Sequence, residues 1–462
     1  MLKPEALREL IQVLGQENVL SEKEDLMTYA YDATAAMKRV LPDVVVSPAN
    51  TEHVIEIVKI ANKYQIPIYP RGSGTNLSGG TIPVDNGIVM SMLNMNKILE
   101  VDDENLTASV QPGVIIQDLN DAGLQHGLFY PPDPGTVTTA TMGGSVSESS
   151  GGLRGLKYGV TKQYVMGMKL VRANGDVIKW GGKTVKNVSG YDLTALFTGA
   201  EGTLGIITEI LVKLIPEPEA KKSILGVFDD IDKAGNAISA IIRHKVIPAT
   251  LEIMDNMTIR TVENFAHAGL PVDAEAILLC EVDGYKEAVE REATLVERIL
   301  AEEGATEVKL AKDDKERDQI WFARRNALPA LAQLKPTTVL EDATVPRSKI
   351  PDMLKAIRQI ATKYNLTIGT FGHAGDGNLH PTILTDVRDT EEMVRVEQAV
   401  EEIFQVAISL GGTLSGEHGI GMAKAKFLPL EFGEAGVKLL RDIKEAMDPN
   451  YILNPGKMVR RD

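Results

Sequence analysis

Cysteine is almost absent. Cys280 is the single one among 462 residues. No internal disulfide can form, and this chain alone cannot hold a four-thiolate iron–sulfur cluster. Cys280 lies in the apolar, strand-like run Ala276-Ile277-Leu278-Leu279-Cys280-Glu281-Val282, where a thiol reads as an inert core residue rather than a nucleophile. Apolar runs of membrane-spanning length are lacking too. The opening Met1-Leu2-Lys3-Pro4-Glu5 has no signal-peptide core, so the expectation is a cytoplasmic protein without a transmembrane segment. Basic charge is in deficit: the net charge is −15. That balance argues against nucleic acid and anionic membranes as main partners. It still admits an anionic substrate, because a local cationic site can outweigh the global field. There is no internal repeat and no low-complexity segment.

What is there is a chain too long for one core, so two or three domains are expected. Its first part alternates helices and short strands. Asn50 and Thr51 offer caps to a helix over about 52–64, with Val54, Ile57, Val58 and Ala61 on one face. Strands are predicted at 66–69, 87–91, 106–110, 165–172 and 205–214, and a helix at 115–126. Ile215-Pro216-Glu217-Pro218-Glu219 marks a boundary. Beyond it come strand 223–228, helix 231–243, strand 249–254, a helix, strand 276–282 and helix 286–303. That order predicts a sheet with helices packed on one face, an α+β layout. One helix is expected over 314–332, a strand over 338–342 and a helix over 433–447.

The first chemically suggestive segment is Arg71-Gly72-Ser73-Gly74-Thr75-Asn76-Leu77-Ser78-Gly79-Gly80. Glycines let the backbone approach phosphate oxygens, and successive N–H groups can form an anion-binding concavity. It is not a GxGxxG dinucleotide fingerprint, because Leu77 stands at the last glycine position, and no Gly-Lys-Ser/Thr follows to make a P-loop. Alone it reads equally well as a surface turn. It has company in the run 131–152, which includes Pro134-Gly135-Thr136-Val137-Thr138 and Met142-Gly143-Gly144-Ser145, and in Gly199-Ala200-Glu201-Gly202-Thr203-Leu204-Gly205-Ile206-Ile207. Three such segments in one domain are hard to explain as coincident turns.

Three of the seven histidines fall in two C-terminal motifs, Gly372-His373-Ala374-Gly375-Asp376-Gly377-Asn378-Leu379-His380 and Ser415-Gly416-Glu417-His418-Gly419. Two imidazoles, a carboxylate and a further histidine are what a divalent metal site with an adjacent base requires. His373 ends one apolar run and His380 begins another, with turn residues between them, so a hairpin would bring both imidazoles to one end of a sheet. A lone buried histidine is more often a hydrogen-bonded core residue; the pair with Gly-Glu-His-Gly favours ligation. Asp376 and Asn378 read as turn formers.

The arginine-headed glycine loop, Pro132-Asp133-Pro134-Gly135-Thr136 and the Gly-Ala-Glu-Gly-Thr-Leu-Gly stretch resemble the flavin-binding domain of the vanillyl-alcohol-oxidase superfamily. With the two histidine motifs, the whole chain resembles the FAD-linked D-2-hydroxyacid dehydrogenases, the family of glycolate oxidase flavoprotein subunits and D-lactate and D-2-hydroxyglutarate dehydrogenases. Within it, the chain most resembles lactate dehydrogenase subunits that work with an electron transfer flavoprotein. The resemblance implies an α+β protein: a two-subdomain FAD domain over 1–218, an α+β substrate (cap) domain with a ferredoxin-like sheet over 219–420 that carries the metal site, and a segment over 421–462 that packs back on the FAD domain.

It also implies site residues. FAD would be held by Arg71, Gly72, Ser73, Gly74, Thr75, Asn76 and Ser78 in the first loop. In the second it would meet Pro134, Gly135, Thr136, Thr138, Met142, Gly143, Gly144, Ser145 and Ser149. Gly205, Ile206, Ile207 and Asn454 complete the set. Some relatives attach FAD through a first-loop histidine; Thr75 and Asn76 stand there, which implies non-covalent FAD. His373, His380 and Glu417 would hold a divalent cation, commonly zinc; nitrogen and oxygen donors also admit iron or manganese. His418 then reads as the base that takes the hydroxyl proton while hydride passes from C2 to flavin N5.

A carboxylate substrate needs a cation, and the resemblance favours Arg324 over Arg325, which reads as a solvated helix charge. Some relatives that bind longer diacids carry a lysine shortly after this arginine, where Val339-Leu340-Glu341-Asp342 offers none; some place an asparagine where Thr382 stands. Both point to a short monocarboxylate, D-lactate first, with glycolate or 2-hydroxyglutarate as alternatives. Reduced flavin needs an acceptor, and the chain has no nicotinamide fingerprint, so an electron transfer flavoprotein or an iron–sulfur subunit is the expected partner. A non-catalytic flavin electron relay, or a metallohydrolase with nucleotide-cradling loops, are the competing readings.

Overall fold

The computed structural model describes residues 2–461. The chain forms two compact units, one of Met1–Ser150, Val160–Glu217 and Glu417–Asp462, the other of Gly151–Gly159 and Pro218–Gly416.

The first unit holds two main sheets. In the four-stranded one the order is Val19–Leu20, Val44–Val46, Ile88–Ser91, Ile68–Arg71, with the last three strands parallel. Parallel strands must be covered on their faces, and helix Thr51–Tyr64 supplies cover. It starts because the Asn50 side chain accepts from the His53 N–H, and it ends where Gln65 turns left-handed. Its stripe of Val54, Ile57, Val58 and Ala61 joins Ala6 and Leu10 of helix Pro4–Leu14 and the strand residues Val44, Val46, Ile68 and Ile88 in one core. The five-stranded antiparallel sheet runs Ile98–Asp102, Thr107–Val110, Ile206–Lys213, Val165–Val171, Val177–Gly181. Along Ile206–Lys213 every second residue is buried, the period of a half-covered strand. The chain's closing segment returns to the first sheet: Ile68 donates its N–H to Ile452 O, and Asn454 donates its N–H to Ile68 O. That brings Asn454 to the strand that leads into the first glycine loop.

The second unit is built on an eight-stranded antiparallel sheet. Its order is Glu307–Leu310, Ala220–Phe228, Ala276–Gly284, Thr250–Asp255, Thr367–His373, Asn378–Thr385, Thr337–Leu340, with Ala343–Thr344 also paired to Asn378–Thr385. Helices cover both faces, not one as expected. Ile231–Arg243, Lys286–Glu302, Ile350–Tyr364 and Thr390–Ser409 enclose one core. Asn256–Ala266, Asp314–Arg325 and Ala327–Leu331 enclose the other. The reason was present in the central strand: Leu278 and Cys280 point into the first core, Ile277 and Leu279 into the second. A continuous apolar run is buried on both sides. Cys280 is fully buried, and burial pushes its thiol well above the ordinary value.

The helix expected over 314–332 is two helices, broken at Asn326. Pro329 has no N–H to donate and fits only a first turn, so a new helix has to begin just before it. Asn326 seals the break by donating its side-chain amide to Phe322 O.

Candidate active site

In the first unit the three glycine-rich segments converge. Ser73 donates its hydroxyl to Thr139 O, and a Cβ on Gly72 would stand 2.2 Å from Thr141 Oγ1, so the first loop packs directly on the second. Thr141 caps helix Met142–Glu148 by accepting from the Gly144 N–H. Gly143 is fixed by donation to Pro112 O, and Ser145 shares its hydroxyl with Ser150 and Thr161. Ser149 ends that helix in the left-handed region. The third segment joins through Gly199 N–H to Val146 O and Glu201 N–H to Ser147 O. Asn454, buried, donates its side-chain amide to Gly80 O and Glu201 O.

Not every expected cofactor residue is equally available. Arg71 donates to Tyr31 O and Thr81 Oγ1 and lies over the Tyr29 ring, so its guanidinium braces the chain itself. Asn76 accepts from Gly80 N–H and shapes the same loop. Gly205 is a packing glycine, since a Cβ there would stand 2.4 Å from Leu170. Ile206 is buried in the core under the parallel sheet and Ile207 is half-buried. Thr75, Pro134, Thr136 and Thr138 lie in the converging loops. A side chain on Gly135 would meet nothing within 4 Å, and on Gly144 only Thr141 Oγ1; these are backbone positions a ligand can approach closely. Ser78 Oγ and Asn454 Oδ1 are buried polar atoms with no hydrogen-bond partner among the described residues. Open glycine backbone and unpaired buried polar atoms at the same loops fit a dinucleotide.

This unit also buries charge that the motifs did not single out. Glu201 accepts from the N–H groups of Ile420 and Gly421, which fixes the backbone just after His418. Burial raises its carboxyl, against those two donors. Glu148 is raised well above the ordinary carboxylate value by burial, and further by Glu201 and Asp32. Its carboxyl leaves no room at Gly419, where a Cβ would stand 1.9 Å from Glu148 Oε2. Lys457 donates to Ile82 O and sits over the Tyr69 ring; burial pulls its pKa down to about 7, opposed by Asp32 and Glu201.

In the second unit, antiparallel pairing sets Phe371 opposite His380 and His373 opposite Asn378. Phe371, His373 and His380 therefore share one face of the sheet. The two imidazole rings lie 5.1 Å apart at 87°, and both are buried. On the neighbouring strand, Glu252 is fully buried and its Oε1 lies 2.8 Å from His373 Nδ1. Its other oxygen pairs with Arg324, whose guanidinium lies 4.8 Å over the Phe371 ring. Burial alone would raise the Glu252 carboxyl, but Arg324 and His373 outweigh it and hold it below the usual value. Arg324 is 5% exposed, whereas Arg325 faces solvent.

A ring nitrogen of His380 lies within 4.8 Å of one from His373 and of a carboxylate oxygen of Asp342. Asp342, fully buried, accepts from Ser415 Oγ and Gly416 N–H. Glu417 and His418 follow Gly416 directly in the chain. Asn378 accepts from Thr344 Oγ1, and Asp376 accepts from the Asn378 N–H, so both shape the turn. Imidazole and carboxylate donors of this kind suit zinc, iron or manganese. Sequence reasoning missed Glu252 and Asp342. The signal for Glu252 was one acid inside Thr250-Leu251-Glu252-Ile253-Met254, an otherwise buried strand.

Comparison with known proteins agrees with both halves. Residues 42–181 match an FAD binding domain and residues 217–458 the C-terminal domain of FAD linked oxidases. A glycolate oxidase subunit of Bacillus subtilis is 52% identical over 462 residues, covering 100% of this chain and 98% of that one. One from Escherichia coli K12 is 39% identical over 98% and 90%. A D-lactate dehydrogenase of Anaerostipes hadrus is 34% identical over 97% and 96%. Among solved structures, p-cresol methylhydroxylase shares the fold, with a TM-score of 0.83 at 21% identity over 99% of this chain and 97% of that one. The vanillyl-alcohol-oxidase-type α+β architecture is thus established, and the chain belongs to the FAD-linked D-2-hydroxyacid dehydrogenase family.

Proposed function

We propose that this protein oxidises a short D-2-hydroxy acid to the 2-oxo acid, with D-lactate the favoured substrate. The observation that carries the reading is the buried face on which Arg324, Glu252, His373 and His380 stand together. A carboxylate-gripping guanidinium beside an imidazole pair suits a substrate with an acid and a hydroxyl on adjacent carbons.

Bound non-covalently, FAD supplies the acceptor for the C2 hydrogen and its electron pair, and a divalent cation supplies the positive charge that acidifies the 2-hydroxyl. His373, His380 and Glu417 are the residues that would hold the cation; the tie of Gly416 to Asp342 supports Glu417 in that role. Arg324 grips the carboxylate bidentately. His418 takes the hydroxyl proton, as a neutral imidazole can near pH 7. Phe371 keeps one side of the guanidinium dry. The loops of the first unit, with Gly72 and Asn454 at their junctions and open backbone at Gly135 and Gly144, hold the pyrophosphate.

Support for a short substrate comes from Thr382, buried with its hydroxyl turned to His380 O, and from apolar Val339 and Leu340. Glycolate is the second reading, favoured by the 52% identity to a protein named for it. The electron acceptor is a partner protein, an electron transfer flavoprotein or an iron–sulfur subunit. The relatives named as subunits support a multi-chain enzyme, and Cys280, the only thiol, is buried. Among the described residues no helix is long and apolar enough to cross a membrane.

The test is anaerobic titration of the purified flavoprotein with D- and L-lactate, glycolate and D-2-hydroxyglutarate. Flavin absorbance should bleach with D-lactate at the lowest concentration and not with L-lactate. Metal analysis of the same sample should find a stoichiometric divalent ion whose removal by chelator abolishes bleaching while leaving the flavin bound. No bleaching by any member of the panel would leave an electron-relay role instead.

A further inference from the structure

We infer that Glu252 is a positioning residue that sets the metal site and the substrate-carboxylate site with one side chain. This rests on the reading of His373 as a ligand and Arg324 as the carboxylate grip. Glu252 is 0% exposed, on the strand beside Thr367–His373. Its two oxygens serve different partners. Oε1 meets His373 Nδ1 at 2.8 Å, and Oε2 pairs with the Arg324 guanidinium.

The contact at Nδ1 fixes a tautomer. A carboxylate can only accept, so His373 carries its proton on Nδ1 and presents Nε2 as the lone-pair donor. The contact at Oε2 holds part of the guanidinium fork, so the remaining N–H groups are aimed by the same carboxylate. A fully buried acid with both oxygens engaged cannot shift toward one partner without releasing the other. Metal binding and acid binding are therefore coupled through it, and linkage makes that coupling reciprocal.

Glutamine cannot replace it. The amide keeps the shape but offers one acceptor oxygen and one NH2 group, and the NH2 would face either the imidazole N–H or the guanidinium. Glu252→Gln should weaken zinc binding about 10–100-fold and raise KM for the 2-hydroxy acid about tenfold or more, with a smaller change in kcat. Glu252→Asp keeps the charge but withdraws the carboxylate by one methylene; it should move both quantities in the same direction by less.

The experiment measures zinc dissociation constants by competition with a chromophoric chelator, on the full FAD-loaded protein, for wild type and both variants, alongside KM and kcat. Flavin absorbance and melting temperature report folding, and the aspartate variant decides if the glutamine one does not fold. Paired loss of zinc affinity and substrate KM is the expected result. Variants that bind zinc as tightly as wild type, or that lose only stability, overturn the role of Glu252 while leaving the metal reading intact. A wild type that takes up no zinc, iron or manganese overturns both.

Discussion

Asn454 donates its side-chain amide to the backbone oxygen of Glu201, 2.7 Å away and 253 positions earlier in the chain. The same amide reaches Gly80 O at 2.9 Å. One buried side chain thus joins the first and third glycine segments to the closing one. Asn454→Ala would leave two buried carbonyls without this donor, at about 1–3 kcal/mol each. Loops so loosened should hold FAD at least about tenfold more weakly. Recovery of free-flavin fluorescence on dilution measures this; an unchanged dissociation constant would mean the loops keep their geometry without the clasp.

His418 is the proposed base, and its removal should separate binding from chemistry. His418→Asn should retain FAD and metal while slowing flavin reduction by D-lactate about 10²–10⁴-fold in anaerobic stopped flow. The backbone around it has its own anchor, the Glu201 carboxylate on the N–H groups of Ile420 and Gly421, so the asparagine variant should fold. Reduction at the wild-type rate would remove His418 from the mechanism.

Arg324→Lys tests geometry at constant charge. Lysine keeps a buried cation near Glu252 but loses the planar fork that can serve two carboxylates at once. KM for the 2-hydroxy acid should rise about tenfold or more while folding survives. Equal KM values in wild type and variant would show that the substrate carboxylate is held elsewhere.

Much of this was readable in the residues because it rests on local chemistry. Asn50 before an apolar stripe gave the helix Thr51–Tyr64 to within a residue. The two apolar runs on either side of the turn residues Gly375 and Gly377 gave the hairpin that pairs Phe371 with His380. Other features needed three dimensions. Glu252 lies 121 positions from His373 and in a different element from the helix that carries Arg324, and only the tertiary fold makes the three neighbours. A buried acid in an apolar strand signals a partner but does not name it. The second helical layer was hidden for a different reason. Residues 276–280 are apolar on both faces, which signals cover on both sides, but the strand–helix order alone predicts only one layer. Arg71 shows the converse: a motif position whose charge the fold directs to Tyr31 and Thr81.

Lys457 gives the protein a pH dependence of definite sign. Its ordinary pKa of 10.5 is pulled down to about 7 in the folded chain, by burial first, with Asp32 and Glu201 opposing. Between those values the unfolded chain binds a proton that the folded chain does not, so stability rises with pH across that window. Below about pH 7 both states are protonated and the penalty for burying the charge is present in full; above the unfolded value it vanishes. Lys457→Met removes the titration but keeps the apolar stem. Melting temperatures of the flavin-free protein, taken from about pH 6 to pH 10, should therefore show the variant ahead at the acid end, with wild type gaining on it steadily above about pH 7. The expected span is on the order of a few kcal/mol. Parallel curves over the whole range would mean that the lysine stays charged in the fold, held by the two acids rather than neutralised by its surroundings.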